Sequence, residues 1–295
     1  MRPYADPRVP NRYGLDVPYA AGQHIASGAG AHVDNLLRYS IVSNFRQNFL
    51  SRVGVAVEDT TEAVRRSLQT GQIVAFTGAG VSAESRVPTF RGADGLWRNY
   101  SPEKLCTAEA FFENPRLVWE WYDWLRGLIG AAQPNPGHVA LAEFERRFSK
   151  RFTLITQNMD GLHEKAGSHD VIKLHGDIWL LRCTKCGREE RNEAPHLDPL
   201  PPLCRCGGIL RPGIVWFGEA LPAGEWERAF AASRRADIFL VIGTSATVYP
   251  AAGLVEVAHQ ARARVAVINP DPTPADGLAD WVLRGPAGEL LPRLL

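Results

Sequence analysis

The sequence predicts an α/β fold, a mainly parallel, doubly wound sheet that carries two insertions. Short apolar runs of strand length alternate with helical patterns, and this alternation is typical of such sheets. The runs are apolar at consecutive positions, as expected for strands that are buried on both faces. A segment that holds four of the five cysteines interrupts the rhythm and indicates an inserted module.

Six apolar runs are the candidate strands. Helical patterns such as Pro136–Phe148 and Trp226–Arg235 separate several of them. Strands that are joined by helical crossovers pair in parallel. The predicted strands are Ile73–Phe76, Phe152–Thr156, Val171–Leu174, Ile238–Ile242, Val265–Ile268 and Trp281–Leu283.

Three segments depart from this α/β rhythm. Residues 1–55 are predicted as an N-terminal extension, rich in Pro, Gly and Ala at its start and partly disordered. A four-residue apolar repeat within it predicts a short helix that docks on the body or contacts a partner; its residues are Leu37, Ile41, Phe45 and Phe49. Within the remaining unit, 56–295, the aromatic-rich segment 93–133 predicts a helical insertion that walls a cleft. Residues 176–212 hold the paired cysteines.

Composition excludes several classes of partner. The chain has 295 residues, 45% of them apolar, and a formal net charge of +1, which suits one substantial core. A near-neutral chain has no standing electrostatic attraction to nucleic acid or to a membrane surface. No apolar run approaches the roughly 18 residues of a membrane span, and no secretory signal is recognisable. The expected location is the cytoplasm, with a mitochondrial presequence as the alternative that Arg2, Arg8 and Arg12 leave open.

The paired cysteines predict a structural zinc site. Cys183 and Cys186 are separated by two residues, Cys204 and Cys206 by one, and a glycine follows each pair. Four thiolates satisfy tetrahedral zinc and leave no open position for a substrate. Without a secretion signal, a metal site is favoured over disulfides. A redox dithiol is the alternative, although nothing near the pairs resembles its usual context.

A glycine-rich turn follows the first predicted strand. Gly78, Gly80 and Ala83 form a G-x-G-x-x-A pattern, where the backbone can approach a pyrophosphate at the start of a helix with unpaired N–H groups. A plain tight turn is the alternative. No acidic residue ends a strand about 20 residues later, which disfavours an ordinary dehydrogenase. The next stretch, Val87–Gly92, looks like a loop that folds over a ligand.

Two more motifs follow the next two strands. Gln157, Asn158 and Asp160 come after the strand that ends at Thr156, where open α/β sheets bind ligands. Taken alone, Asn158 and Asp160 suit helix capping better than ligand binding, and His163 suits a structural role. His175 stands before a glycine at a strand end, and a histidine side chain ordinarily titrates near neutrality, as a general base should. A lone histidine is more often structural, but this one shares a sheet edge with two other ligand-like motifs.

The last two strand ends carry small or polar residues. Gly243–Ser245 follows the fourth strand and Asn269–Asp271 follows the fifth. Hydroxyl and amide groups at these positions suit phosphate or ribose contacts, and simple turn chemistry is the alternative.

In this order and over about residues 57–295, the motifs resemble the sirtuin family. The matching stretches are Gly78–Ser85, Pro88–Gly92, Gln157–Asp160, Leu174–Gly176, the four cysteines, Gly243–Ser245 and Asn269. Ala83–Ser85 and Pro88–Phe90 look most like the bacterial and mitochondrial branch that contains deacylases of acidic acyl groups. The resemblance implies a Rossmann-like large domain, a zinc-ribbon small domain and NAD as a co-substrate that is consumed while acyl groups leave lysine side chains.

The resemblance also implies roles for individual residues. His175 is the implied base, and Asn158 and Asp160 organise the nicotinamide pocket. The implied NAD site consists of Gly78, Ala79, Gly80, Ala83, Glu84, Thr89, Phe90, Arg91, Trp97, Gln157, Asn158, Met159, Asp160, Gly243, Thr244, Ser245, Asn269, Pro270, Asp271 and Ala287. The implied substrate contacts are Tyr122 and a segment that pairs with the peptide backbone as a strand, namely Val215, Trp216, Phe217, Gly218 and Glu219.

One departure bears on the acyl group. The branch that prefers succinyl and malonyl groups carries Tyr-x-x-Arg on a helix of the aromatic insertion. Here Tyr122 is followed three residues later by Leu125, with Arg126 one position further. One position on a helix rotates a side chain by about 100° around the axis. The sequence therefore predicts poor desuccinylation and an uncharged acyl chain.

Two alternatives to deacylation remain at this point. ADP-ribosyl transfer or NAD hydrolysis could proceed in the same cleft. A non-catalytic module that binds acyl-lysine or NAD is disfavoured by His175 and Asn158.

Overall fold

The computed structural model describes residues 60–90 and 102–295. The predicted N-terminal helix therefore lies outside the described residues, as does the first part of the aromatic insertion.

A six-stranded parallel sheet forms the large sheet of the molecule. Its strand order is β3-β2-β1-β7-β8-β9, in which β1 pairs with both β2 and β7. The chain thus runs outward from β1 to β3 and then crosses to the other side, which is the doubly wound arrangement that the sequence predicts. The strands are β1 Ile73–Thr77, β2 Phe152–Thr156, β3 Val171–Lys173, β7 Ile238–Ile242, β8 Arg264–Ile268 and β9 Trp281–Leu283.

Helices cover both faces of the large sheet. The predicted helix Pro136–Phe148 is confirmed with both ends, because Asn135 caps it and a proline occupies its first position. The helix predicted from Trp226 begins three residues earlier, at Ala223. The helices are α1 Thr60–Ser67, α2 Pro102–Leu105, α3 Ala108–Glu113, α4 Pro115–Ala131, α5 Pro136–Phe148, α6 Leu162–Lys165, α7 Ala223–Arg235, α8 Gly253–Gln260 and α9 Ala287–Leu294, with 3-10 helices at Ala79–Ser85 and Pro274–Leu278.

The large sheet is buried on both faces. All five residues of β1 are buried; Ile73 and Ala75 pack into one core cluster, whereas Val74 and Phe76 pack into the other. Alternate residues of a strand point to opposite faces, so a strand between two helical layers is apolar throughout. Among the described residues, no helix combines the length and the apolar character that crossing a membrane requires.

The two insertions pack on each other and form what we call the small lobe, made of α2–α4 and a three-stranded antiparallel sheet. This sheet has the order β5-β4-β6, with β4 at Gly176–Cys183, β5 at Glu189–Arg191 and β6 at Leu210–Ile214. One core cluster joins α4 to β4 and β6. The indole of Trp119 on α4 donates a 2.7 Å hydrogen bond to the carbonyl oxygen of Leu210 on β6.

Candidate active site

The predicted ligand-binding motifs meet along one edge of the large sheet. Each follows the carboxyl end of a strand, and the strand order places the turns after β1 and β7 side by side at the reversal point of the sheet. This is the position at which open α/β sheets bind ligands. The strand-end residues are Gly78 after β1, Gln157 after β2, His175 after β3, Gly243 after β7 and Asn269 after β8.

Glycines allow the turns after β1 and β7 to touch. A Cβ atom on Gly78 would lie 2.6 Å from the Cβ of Thr244, and one on Gly80 would lie 2.7 Å from the carbonyl oxygen of Gly243. Gly243 itself has a φ of +55°. Larger residues would separate these turns and open the edge of the sheet.

The turn after β1 leads into a short 3-10 helix, Ala79–Ser85. The sequence predicts a helix here with unpaired N–H groups, but the amide of Gly80 is paired. The N–H of Gly80 donates a 2.7 Å hydrogen bond to the carbonyl oxygen of Gly243. The close approach of the two turns therefore uses this amide, and it is not available to a pyrophosphate.

Asn158, Asp160 and Ser82 form a buried polar cluster. The amide of Asn158 donates to the carbonyl oxygen of Gly78 at 3.1 Å and to Ser82 Oγ at 3.2 Å. The hydroxyl of Ser82 donates to Asp160 Oδ2 at 2.7 Å, and the N–H of Leu162 donates to Asp160 Oδ1 at 2.9 Å. Burial raises the pKa of Asp160, against the hydrogen bonds from Leu162 and Ser82, which lower it. Asp160 thus accepts a hydrogen bond from the first residue of α6 and also belongs to the cluster.

His138 and His163 extend this cluster, and sequence reasoning assigned no ligand-site role to either histidine and none to Ser82 individually. His138 Nε2 lies 3.3 Å from Ser82 Oγ, and the His138 and His163 rings are in contact. Burial lowers the pKa of His138 to about 4 and that of His163 well below its usual value, so both rings are neutral near pH 7. The one local signal was the presence of Ser82 inside the glycine motif.

His175 is held as a proton acceptor. Its Nδ1 lies 2.9 Å from the carbonyl oxygen of Gln157. A carbonyl only accepts hydrogen bonds, so Nδ1 carries the proton and Nε2 of the neutral ring keeps its lone pair. Burial lowers the pKa of His175, which favours that neutral form. Gly176 follows with a φ of +79°, and a Cβ there would lie 2.3 Å from the carbonyl oxygen of Gly213.

Several of the predicted NAD contacts make hydrogen bonds within the protein. The amide of Gln157 donates to Thr244 Oγ1 at 2.8 Å, which links the ends of β2 and β7. Glu84 Oε2 accepts a 2.6 Å hydrogen bond from Gly288, next to Ala287 at the start of α9. The amide of Asn269 donates to the carbonyl oxygen of Asp271 at 2.8 Å, in line with the turn alternative for that motif.

A narrow cavity lies beside the polar cluster. Its polar wall comes from Ser82, Asn158 and Asp160, and its apolar wall comes from two parts of the chain, namely Val87, Pro88 and Phe90 of the loop after β1 and Leu125 and Ile129 of α4; Ala79 and Met159 complete it. Of the remaining predicted contacts, Thr89, Ser245 and Pro270 are described but do not line this cavity, whereas Arg91 and Trp97 lie outside the described residues.

Tyr122, a predicted substrate contact, is fully buried. Its hydroxyl accepts a 3.0 Å hydrogen bond from the indole of Trp216 and lies 3.1 Å from Cys106 Sγ. Burial raises the pKa of Cys106 to about 11, so the sulfur remains a thiol. Leu125 lines the cavity, whereas the Arg126 guanidinium contacts β4 and the loop after β5. The structure therefore separates these two side chains, as the helical rotation predicts.

The predicted peptide-binding segment is a turn with internal bonds. The N–H of Val215 donates to the carbonyl oxygen of His175, and that of Phe217 donates to the carbonyl oxygen of Cys106, both at 2.9 Å. The N–H of Trp216 donates to Glu219 Oε2 at 2.8 Å. Gly218, with a φ of +86°, makes the turn, while Phe217 is exposed. These amides are engaged within the chain, so strand pairing with a peptide stays a prediction.

The four paired cysteines form a cluster that fits a zinc ion. Their sulfur atoms all lie within 4.8 Å of one another, and the Cys183–Cys206 and Cys186–Cys204 sulfur distances are 3.5 and 3.8 Å. Zn–S bonds near 2.3 Å place tetrahedral sulfur atoms about 3.8 Å apart. Each pair sits on a turn. The N–H of Gly187 donates to the carbonyl oxygen of Cys183 at 3.0 Å, and that of Gly207 donates to the carbonyl oxygen of Cys204 at 2.8 Å. The shorter second pair therefore still completes the cluster.

Comparison with known proteins defines the class of this chain. Residues 78–250 match the model described as Sir2 family. This match covers more than half of the chain and spans the glycine turn, the polar cluster, His175 and the four cysteines. The chain belongs to the Sir2 family, which confirms the resemblance to sirtuins.

Individual relatives cover most of this chain. An NAD-dependent protein deacylase of Aquifex aeolicus is 56% identical over 70% of this chain and 87% of its own length. NAD-dependent protein deacylase 1 of Archaeoglobus fulgidus is 50% identical over 76% of this chain and 91% of its own length.

Solved structures show the same fold. A Sir2 homologue in complex with NAD has a TM-score of 0.74 and 47% identity over 79% of this chain and 91% of its own. A Sir2 complex with a deacetylated p53 peptide and 3'-O-acetyl ADP-ribose has a TM-score of 0.71 and 31% identity over 79% of this chain and 96% of its own.

Proposed function

We propose that this chain is an NAD-dependent protein deacylase, which removes acyl groups from lysine side chains. The observation that carries the proposal is the held orientation of His175 at the carboxyl edge of the sheet, beside the Asn158–Asp160 cluster. In the balanced reaction, acyl-lysine, NAD and water give lysine, nicotinamide and O-acyl-ADP-ribose. The relatives named above carry the same activity in their names.

His175 is the proposed general base. The carbonyl oxygen of Gln157 holds the Nδ1 proton and leaves Nε2 to accept a proton from a ribose hydroxyl. A base must be unprotonated before it acts, and burial keeps this imidazole in its neutral form. The bond to a main-chain carbonyl also fixes the plane of the ring, so the acceptor nitrogen keeps one direction.

Asn158 and Asp160 are the proposed nicotinamide-pocket residues, and Ser82 joins them. These three side chains form the polar wall of the cavity, and Phe90 lies on its apolar side. The hydrogen bonds of Ser82 to both partners hold the wall in one arrangement. We assign the rest of the NAD site to the strand-end turns, with Thr244 and Gln157 next to each other.

The proposed substrate is a lysine that carries an uncharged acyl chain. Leu125 lines the cavity. The Tyr122 hydroxyl contacts Trp216 and Cys106, and the Arg126 guanidinium donates to β4 instead of facing the cavity. A carboxylate clamp needs a directed, bidentate donor, and α4 offers none toward the cavity. The four thiols suit a structural zinc ion and a reducing compartment, which favours the cytoplasm.

The test is a panel of acetyl, succinyl and long fatty acyl lysine peptides with NAD. We expect nicotinamide release and O-acyl-ADP-ribose by mass spectrometry with the uncharged acyl groups. The His175→Ala protein serves as the control. No release above that control would overturn the proposal, and ADP-ribose attached to protein would indicate ADP-ribosyl transfer in its place. A strong succinyl preference would contradict the assignment of the acyl group.

A further inference from the structure

Arg126 is a fully buried cation inside the small lobe. Its Nη1 donates to the carbonyl oxygen of Ile178 at 2.6 Å. Its Nη2 donates to the carbonyl oxygens of Asn192 and Ala194 at 2.8 and 2.7 Å and to Asn192 Oδ1 at 3.0 Å. A buried guanidinium is expensive unless such acceptors surround it. Burial lowers the pKa of Arg126 to about 10, against Asp123 and Asp177, which raise it, so the group is charged at neutral pH.

The acceptors of Arg126 lie on strand β4 and on the loop after β5. The guanidinium also stacks over the indole of Trp179, 4.9 Å from the ring centre. The loop is tied to the same strand, because the N–H of Asn192 donates to the carbonyl oxygen of Trp179 at 2.8 Å. The Arg126 side chain of α4 therefore contacts β4 at two adjacent residues, the carbonyl group of Ile178 and the indole of Trp179.

The same two residues of β4 hold the main chain of the polar cluster. The N–H of Ile178 donates to the carbonyl oxygen of Met159 at 3.0 Å. The indole Nε1 of Trp179 donates to the carbonyl oxygen of Asp160 at 3.0 Å. A Cβ on Gly161 would lie 3.3 Å from that indole, so the ring also packs on the turn that follows Asp160.

We propose that Arg126 is a positioning residue that acts on Asp160 through Ile178 and Trp179. It holds β4, and β4 holds the carbonyl groups of Met159 and Asp160, which lie on either side of the Asp160 Cα. The Asp160 carboxylate, which accepts from Ser82, then keeps its place in the wall of the cavity. This inference rests on the proposed function, because it gives Arg126 a part in NAD binding without contact to NAD.

The test is a double-mutant cycle of Arg126→Lys and Trp179→Phe. Lysine keeps the charge but cannot reach both carbonyl groups with a planar fork. Phenylalanine keeps an aromatic ring under the cation but loses the bond to Asp160 and part of the packing on the turn at Gly161. Measurements are kcat and KM for NAD, the Kd for NAD from calorimetry without peptide, and the melting temperature. Arg116→Gln on the same helix is the control, since Arg116 is exposed and pairs with Glu120.

Each single variant is expected to weaken NAD binding about fivefold, the effect of one lost hydrogen bond, and to leave the KM for peptide unchanged. The double variant is expected to bind NAD as well as the single variant with the lower affinity. Both substitutions interrupt the same chain of contacts from Arg126 to Asp160, so their effects do not add. Multiplicative effects, or a lower melting temperature with unchanged NAD binding, would overturn the inference.

If Arg126→Lys does not fold, Asn192→Ala replaces it and removes one of the four acceptors. It should weaken NAD binding in the same direction and show the same lack of additivity with Trp179→Phe. The failure of the proposed function would look different. It would appear as a wild-type protein that releases no nicotinamide, and NAD calorimetry would still test the positioning role of Arg126.

Discussion

The proposed role of His175 depends on one protonation state, and this state sets the pH dependence of the enzyme. Burial lowers the pKa of His175 from its ordinary value of 6.5. The neutral base is the active form, so activity rises with pH through the lowered pKa. We expect the acid limb of kcat/KM to fall below pH 6.5 with acetyl-lysine peptide. An acid limb above 6.5 would contradict the buried, neutral assignment.

His138 links the buried cluster to stability. The pKa of this ring is about 4 in the folded protein and 6.5 when it is unfolded. Between these two pH values His138 is protonated in the unfolded chain and neutral in the folded chain. The free energy of unfolding therefore declines as the pH falls from about 6.5 toward 4. Over this whole pH range, the loss in the free energy of unfolding from His138 is about 3 kcal/mol.

His138→Gln should remove this part of the acid sensitivity while keeping an amide donor near Ser82. The measurement is the melting temperature as a function of pH for both proteins. His259→Gln, a change at an exposed histidine of α8, is the control. Parallel curves for wild type and His138→Gln would show that His138 titrates alike in the folded and unfolded chains.

At the scale of elements, β4 connects the four-cysteine cluster to the candidate active site. It begins at Gly176, next to the proposed base, and ends at Cys183. Metal removal by a chelator should lower the melting temperature and abolish deacylation, because the strand loses its anchored end. Cys204→Ser should lose bound zinc, measured by elemental analysis, whereas Cys106→Ser should retain one ion per chain. Zinc-free protein with full stability would contradict this role.

Helix α4 carries the residue that we expect to select the acyl group. Leu125→Arg restores the Tyr-x-x-Arg pattern and places a guanidinium toward the cavity. The ratio of desuccinylation to deacetylation should rise about tenfold or more, the effect of a charge-assisted hydrogen bond. Leu125→Met keeps the wall apolar and is the control. An unchanged ratio in a folded Leu125→Arg protein would show that this position does not face the acyl chain.

At the scale of the whole molecule, the parallel sheet follows from local pattern. Runs such as Phe152–Thr156 and Ile238–Ile242 match the observed strands at both ends, because a strand between two helical layers is apolar throughout. The third strand ends one residue earlier than predicted, at Lys173, since Leu174 already lies in the turn that leads to His175. Because the strands are parallel, their carboxyl ends lie at one edge of the sheet, and the motifs that follow them meet there.

The inner part of the site was beyond sequence reasoning because its contacts are non-local. Ser82 and His138 are 56 positions apart and meet only after α5 packs beside the 3-10 helix. The glycine pattern predicts a helix after the turn but does not give its type, so the 3-10 geometry of Ala79–Ser85 is known only from the structure. The family relationship indicates the function, whereas these contacts show how the chain holds the residues that we propose for it.

The link between the large sheet and the small lobe has a mechanical consequence. Only Leu174 and His175 separate β3 from β4. The imidazole of His175 is bonded to Gln157 on the side of the large sheet, and its carbonyl oxygen is bonded to Val215 in the small lobe. His175 is therefore one of the points that join the two parts, together with Ile178 and Trp179, which donate to Met159 and Asp160. A movement of the small lobe against the large sheet would therefore act directly on residues of the candidate site, the proposed base among them.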